Sequence, residues 1–138
     1  MFVSETRIHI RYAETDRMGI AHHSNYAVWF EEGRTDFFNK LGYSYAQVEK
    51  EGVFLPLTDL HCSFKKPAEY EQTIIIRTML SRATCVRAQF DYEVIDASDR
   101  SLIATGRTDH ACTDTGLKPI NLIKRLPEVY QALIGCMD

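Results

Sequence analysis

Between Asn25 and Leu41 the large apolar residues Tyr26, Trp29, Phe30, Phe37 and Leu41 recur at three- and four-residue steps, with Gly33 among them. That spacing predicts a helix that buries one broad stripe, widened by Val28 and Phe38. A helix this aromatic must be covered along much of its length, and Gly33 marks a place where another backbone can come close. The remainder of the chain has to supply the cover.

It has the residues to do so. Upstream, residues 5–13 (ETRIHIRYA) alternate at Ile8, Ile10 and Tyr12, the period of a half-buried strand. A loop over 14–24 contains Gly19 and leads into Ser24-Asn25, either of which suits a helix N-cap. Downstream, Gly42 stops the helix, Ser44 caps a short second one (SYAQVEKEG), and Gly52 closes it. Four segments rich in β-branched and aromatic residues follow, 53–66, 71–80, 84–95 and 101–113, joined by KPAEY, SRA and DASDR. Links this short favour antiparallel neighbours. The segment LIKRLPEVYQALIG predicts a C-terminal helix beginning around Pro127. The order is that of an α+β fold, one antiparallel sheet curled around one long central helix.

With 138 residues the chain makes one domain, 1–138, able to bury roughly 68% of its unfolded surface. A net charge of −3 lacks the basic excess expected of nucleic-acid binding. The charged N-terminus does not read as a signal peptide, and no apolar run approaches the ~20 residues of a membrane span. Cys62, Cys85, Cys112 and Cys136 are too widely spaced for a zinc or redox pair and read as small buried hydrophobes, which points to a reducing, cytoplasmic setting. There is no phosphate-binding glycine loop, dinucleotide fingerprint, serine elbow or metal-spaced histidine pair. Neither a metal nor a cofactor is expected.

Chemistry concentrates in the loop before the helix. Asp16 is a carboxylate at neutral pH, competent as a general base or a nucleophile, and equally an Asp of the kind that builds turns. His23 could orient water or donate to a carbonyl, or simply be a structural histidine. His22 beside it leaves open which ring faces the site. Tyr12 could hold Asp16 or His23 through its hydroxyl, or be one more packed aromatic. Behind them lies a helix start, whose first amides lack intrahelical acceptors and together carry roughly +0.5 of a charge, suited to a developing oxyanion. On the helix, Glu31 and Arg34 are neighbours by spacing and read as a structural ion pair. His9, His61 and His110 occur singly in strands and read as structural.

The run YAETDRMGIAHHSNY, 12–26, followed by WFEEGRT, 29–35, resembles the signature of the 4-hydroxybenzoyl-CoA thioesterase family of hotdog-fold proteins, in its YbgC-like acyl-CoA thioesterase branch. The likeness continues through LGYSYAQVEKEG, FKKPAEYEQ and GRTDHACTD. It implies a hotdog fold, with units paired edge to edge as a homodimer or homotetramer. It also implies hydrolysis of an acyl-CoA thioester to free acid and CoA, the acyl-CoA being substrate and not cofactor. By that resemblance Asp16 matches the catalytic carboxylate, and Tyr12 and His23 match the family's Tyr and His. The helix start at Ser24, Asn25 and Tyr26, with Gly19 in the loop, would face the thioester carbonyl. CoA would cross the dimer interface with its phosphates near Lys65 and Lys66. His22 and Gly33 depart from the usual pattern, which more often has an aromatic or aliphatic residue and an Ala there. A hydratase or dehydratase, and a non-catalytic acyl-CoA-binding module, are the alternative readings on the same scaffold.

Overall fold

The computed structural model describes the whole chain, Met1–Asp138. Strand β1 (Val3–His9) and one 3₁₀ turn (Tyr12–Glu14) precede α1 (Ser24–Leu41) and α2 (Tyr45–Lys50). Strands β2 (Leu57–Phe64), β3 (Thr73–Ala83), β4 (Arg87–Asp96) and β5 (Leu102–Ala111) follow, and α3 (Leu122–Arg125) and α4 (Pro127–Gly135) end the chain. The five strands form one sheet in the order β1-β3-β4-β5-β2, with every pairing antiparallel. The sheet curls over α1, as the helix stripe requires. No helix is long and apolar enough to cross a membrane.

Three local expectations change. The first strand ends at His9 rather than running to residue 13, because the Glu14 carboxylate accepts from the Arg11 amide and folds the chain into the 3₁₀ turn. The link over residues 65–72 is no hairpin. It carries the chain from the β2 edge to β3, on the far side of β5 and β4, so short length did not make these strands neighbours. Val28 stands half exposed on the outer face of α1, while Tyr26, Trp29, Phe30, Gly33, Phe37 and Phe38 are buried. The stripe is therefore narrower at its N-terminal end than the sequence suggests.

At Gly33 the helix lies close against the sheet. A Cβ there would sit 2.5 Å from Thr78 Oγ1 and 3.0 Å from Ile76 Cγ2, both on β3. The core around α1 includes Ile74, Ile76, Leu80, Phe90, Tyr92, Val94 and Ile103, all fully buried. Phe30 stacks on Tyr92 at 4.4 Å, and Phe37 meets Phe90 edge-on at 5.5 Å.

A buried polar chain crosses this core. Arg34 does not pair with Glu31, which lies on the exposed face. Instead Arg34 Nη1 donates to the Tyr92 hydroxyl (3.1 Å), which donates to Thr108 Oγ1 (2.6 Å); that hydroxyl in turn donates to His110 Nε2 (2.9 Å). The His110 Nδ1–H donates to the Leu55 carbonyl (3.1 Å), which fixes the neutral tautomer. A proton on Nε2 would turn that acceptor into a donor and cost the bond from the Thr108 hydroxyl. Burial first, and then the Arg34 charge, push the His110 pKa down to about 4 from 6.5.

The sign of the consequence follows. His110 stays neutral in the folded state but binds a proton when unfolded below pH 6.5, so its contribution is complete above that pH and declines until about pH 4. Between pH 7 and pH 5 this group alone should cost about 2 kcal/mol of unfolding free energy. Urea titrations of the parent and of His110→Gln at both pH values measure it. Equal pH slopes in the two proteins would refute the assignment.

Candidate active site

The loop between the 3₁₀ turn and α1 is a small closed hairpin. Thr15 pairs with Ala21, the Asp16 amide donates to the Ile20 carbonyl (2.9 Å), and the Gly19 amide donates back to the Asp16 carbonyl (3.0 Å). Gly19 adopts a φ of 77°, which a residue with a side chain takes only under strain. Asp16 sits half-buried in this turn, and its Oδ1 accepts from the Met18 amide (2.9 Å). The carboxylate is thus already oriented by its own backbone, with acceptor capacity left over. Turn building and chemistry, which the sequence presents as alternatives, are compatible here.

The mouth of α1 is organised by His22. Its Nδ1 accepts from the Ser24 amide (3.2 Å) and meets Ser24 Oγ at 2.9 Å. Neither Ser24 nor Asn25 is the capping side chain that the sequence offers. His23 occupies the N-cap position with helical φ and ψ, makes no side-chain cap, and lies exposed with its ring 4.0 Å from that of His22. The Asn25 amide donates to the His22 carbonyl (3.1 Å) and the Tyr26 amide to the His23 carbonyl (3.2 Å). Of the amides named from sequence, those of Ser24, Asn25 and Tyr26 open the helix with long, local bonds, whereas that of Gly19 serves the hairpin.

Tyr12 reaches neither Asp16 nor His23 with a hydrogen bond. It is 76% exposed, and its ring meets the half-exposed Tyr70 edge-on at 5.5 Å. Glu69, next to Tyr70, bridges to Ile20 of the hairpin, so the two tyrosines flank the Asp16 turn, and Met18 projects from the turn itself, 76% exposed. Lys65 and Lys66 follow β2 directly, both exposed. Their amides share the Ile103 carbonyl, and the Lys66 ammonium donates to Ser101 Oγ. One cleft of the single chain is lined by Lys66, Glu69, Tyr70, Gln72 and Asp96, and another runs along the polar sheet face between His61 and Arg107.

Glu14 is the residue that sequence reading passed over. It is buried, and both carboxylate oxygens are used: Oε1 accepts from the Arg11 amide (2.8 Å) and Oε2 from the Trp29 indole Nε1–H (3.0 Å). Burial by itself would raise its pKa. The Arg11 and Trp29 donors, with the Arg11 guanidinium 3.5 Å away, hold it below the usual carboxylate range instead. The signal was present as a Glu three residues after Arg11, the spacing at which a side chain reaches back to a turn's first amide.

Similarity to known proteins runs over nearly the whole chain. YneP of Bacillus subtilis (strain 168), which carries a provisional assignment as an acyl-CoA thioesterase, is 39% identical over 134 residues, 96% of this chain and 96% of its own. The acyl-CoA thioesterase YbgC of Helicobacter pylori is 29% identical over 96 residues, 70% of each chain. A DHNA-CoA thioesterase from Staphylococcus aureus superposes with a TM-score of 0.93 at 38% identity, covering 98% of this chain and 91% of that one. The model of the thioesterase-like superfamily matches residues 10–134. With the sheet and helix arranged as they are, the chain is a hotdog-fold enzyme and belongs to the thioesterase-like superfamily.

Proposed function

We propose that the protein hydrolyses an acyl-CoA thioester to a free carboxylic acid and CoA. The observation that carries this reading is the connection between the two halves of the site. The Glu14 carbonyl, two residues before Asp16, accepts from the His22 amide (2.8 Å) and from Asn25 Nδ2 (2.8 Å), so the backbone that leads into the Asp16 hairpin is tied to the first turn of α1. Acyl hydrolysis needs those two parts together. Asp16 acts as general base or nucleophile, and the opening amides of α1 receive the developing oxyanion; one well-aimed donor of that kind is worth about 2.7–4 kcal/mol of barrier. The thioester oxygen competes with the His22 ring for the Ser24 amide, and His23 lies beside it to orient water.

An aryl acyl group is the substrate class we infer. Tyr12 and Tyr70 present exposed aromatic faces and edges on the flank of the Asp16 hairpin, and Met18 adds a polarizable apolar arm. The similar S. aureus protein is a DHNA-CoA thioesterase, which supports an aromatic acid in this position.

The second subunit enters through β2. This strand is an edge of the sheet and exposes Leu57, Leu60 and Phe64, the kind of open edge that natural monomers blunt. Two copies paired along β2 form a homodimer with Lys65 and Lys66 at the seam, where the phosphates of CoA can be met. One preparation tests both statements. Thiol release is followed across 1,4-dihydroxy-2-naphthoyl-CoA, benzoyl-CoA and short and long aliphatic CoA thioesters, and sedimentation gives the mass against the 15.9 kDa chain. Aryl thioesters should be cleaved fastest by a species of at least two chains. Absence of thiol release from the whole panel would overturn the activity, and a monomer active at full rate would overturn the shared site.

A further inference from the structure

We propose that the Glu14 carboxylate is a positioning group for hydrolysis, holding the Asp16 hairpin against α1 through the Trp29 indole. This rests on the reading of Asp16 as the reacting carboxylate.

Glu14 joins three pieces of chain. Through Oε1 it closes the turn at the end of β1, and through Oε2 it reaches Trp29, about one turn into α1. Through its carbonyl it takes the His22 amide and the Asn25 side chain at the helix mouth. Only Thr15, in extended conformation and bridged to Ala21, separates it from Asp16. Any rotation of the Glu14 backbone is therefore passed directly to the reacting carboxylate.

The partner is well chosen for rigidity. Trp29 is fully buried and packs on the Tyr26 ring at 4.7 Å, so its N–H has little freedom and is an orphan donor without Glu14. The charged group beside the Glu14 carboxylate is Arg11 on its own turn, 3.5 Å away; the titratable rings of His22 and His23 lie exposed at the helix mouth, tilted against one another. A carboxylate accepts at both oxygens, whereas the amide of a Gln accepts at only one and would turn its NH₂ toward the second donor.

Trp29 is the sole tryptophan, so the contact reports on itself. The test combines steady-state kinetics with indole emission in Glu14→Gln and, for kinetics, Trp29→Phe. With the latch as proposed, each substitution lowers kcat roughly tenfold to a hundredfold while KM stays within about threefold. The double variant should lose no more than the worse single one, because both break the same bond. Emission from Trp29 should follow an acid titration in the parent that is missing in Glu14→Gln. If Glu14→Gln fails to fold, Glu14→Asp and Trp29→Phe carry the kinetic comparison.

Parent kcat in a folded Glu14→Gln, or strictly additive losses in the double variant, would overturn the proposal. Because the emission titration needs no turnover, it separates this claim from the reading of Asp16. A parent-like Asp16→Asn rate with the Glu14-dependent titration intact would remove the catalytic assignment and leave the latch as a structural bond.

Discussion

Asp16→Asn is expected to lower kcat on the best aryl-CoA substrate by roughly 10²–10⁴-fold, the range that a positioned acid or base contributes. The substitution isolates chemistry from folding. The Asp16 Oδ1 that accepts from the Met18 amide has a counterpart in the Asn carboxamide oxygen, and the backbone bonds of Asp16 to Ile20 and Gly19 are untouched. The hairpin should therefore survive, with unfolding free energy within about 0.5 kcal/mol of the parent. What disappears is the negative charge and the basic oxygen. Hydrolysis by Asp16→Asn at the parent rate would end the assignment. Single-turnover hydrolysis in ¹⁸O-labelled water then tests for the nucleophilic role. Label in the Asp16 carboxylate requires attack by that carboxylate and a mixed anhydride opened by water at the Asp16 carbonyl, whereas label in the released acid comes both from a base acting on water and from an anhydride opened at the acyl carbon.

The largest change in stability should come from the contact between Phe30 and Gly106. Phe30 has no exposed surface, and its ring lies parallel to that of Tyr92. Tyr92 on β4 is paired across the ladder with Gly106 on β5, and the Phe30 ring covers both. A Cβ on Gly106 would fall inside the van der Waals surface of that ring, which cannot retreat because it is held between strand and helix. Gly106→Ala should therefore cost about 1–3 kcal/mol through overpacking, and Phe30→Ala about 3–5 kcal/mol through the cavity it leaves. The two sites must also couple. In a Phe30→Leu background, where the ring is gone, Gly106→Ala should cost clearly less than in the parent. Urea unfolding of the four proteins in this cycle gives the coupling directly, and strict additivity would show that the ring and the glycine are independent.

Much of the architecture could be read from the chain. The steps of Tyr26, Trp29, Phe30, Gly33 and Phe37 are tied to the turn of a helix, and burial of that stripe depends only on a sheet being present, so α1 follows from local periodicity. Ser44 as the cap of α2 and Pro127 as the first residue of α4 are likewise local, since each satisfies or omits a particular backbone donor. The candidate residues, too, are neighbours along the chain. Asp16, Tyr12, His23 and the helix start lie within fifteen residues of sequence (Tyr12 to Tyr26), and a hairpin this short keeps its two ends together whatever the surroundings.

What escaped the sequence depended on partners distant along the chain. Arg34 has Glu31 within helical reach and yet turns toward Tyr92, 58 residues away, because its place on the inner side of α1 sends the guanidinium into the sheet and leaves Glu31 facing water. Gly106 reads as an unremarked strand residue until α1 lays an aromatic ring on it. Strand order is of the same kind: nothing in KPAEY says that it spans the sheet instead of turning back.

The sequence by itself determined the long aromatic helix, the strand content and the loop with Asp16 before the helix, because each follows from residue spacing and turn residues a few positions apart. The tertiary structure alone decided that Glu14 clasps Trp29, and that Arg34 and His110 stand at opposite ends of one buried hydrogen-bond chain. Those outcomes are settled by burial. Once the sheet closes over the helix and water is removed, a polar group must take whichever partner the fold brings within 3 Å or so, and sequence distance no longer ranks the candidates.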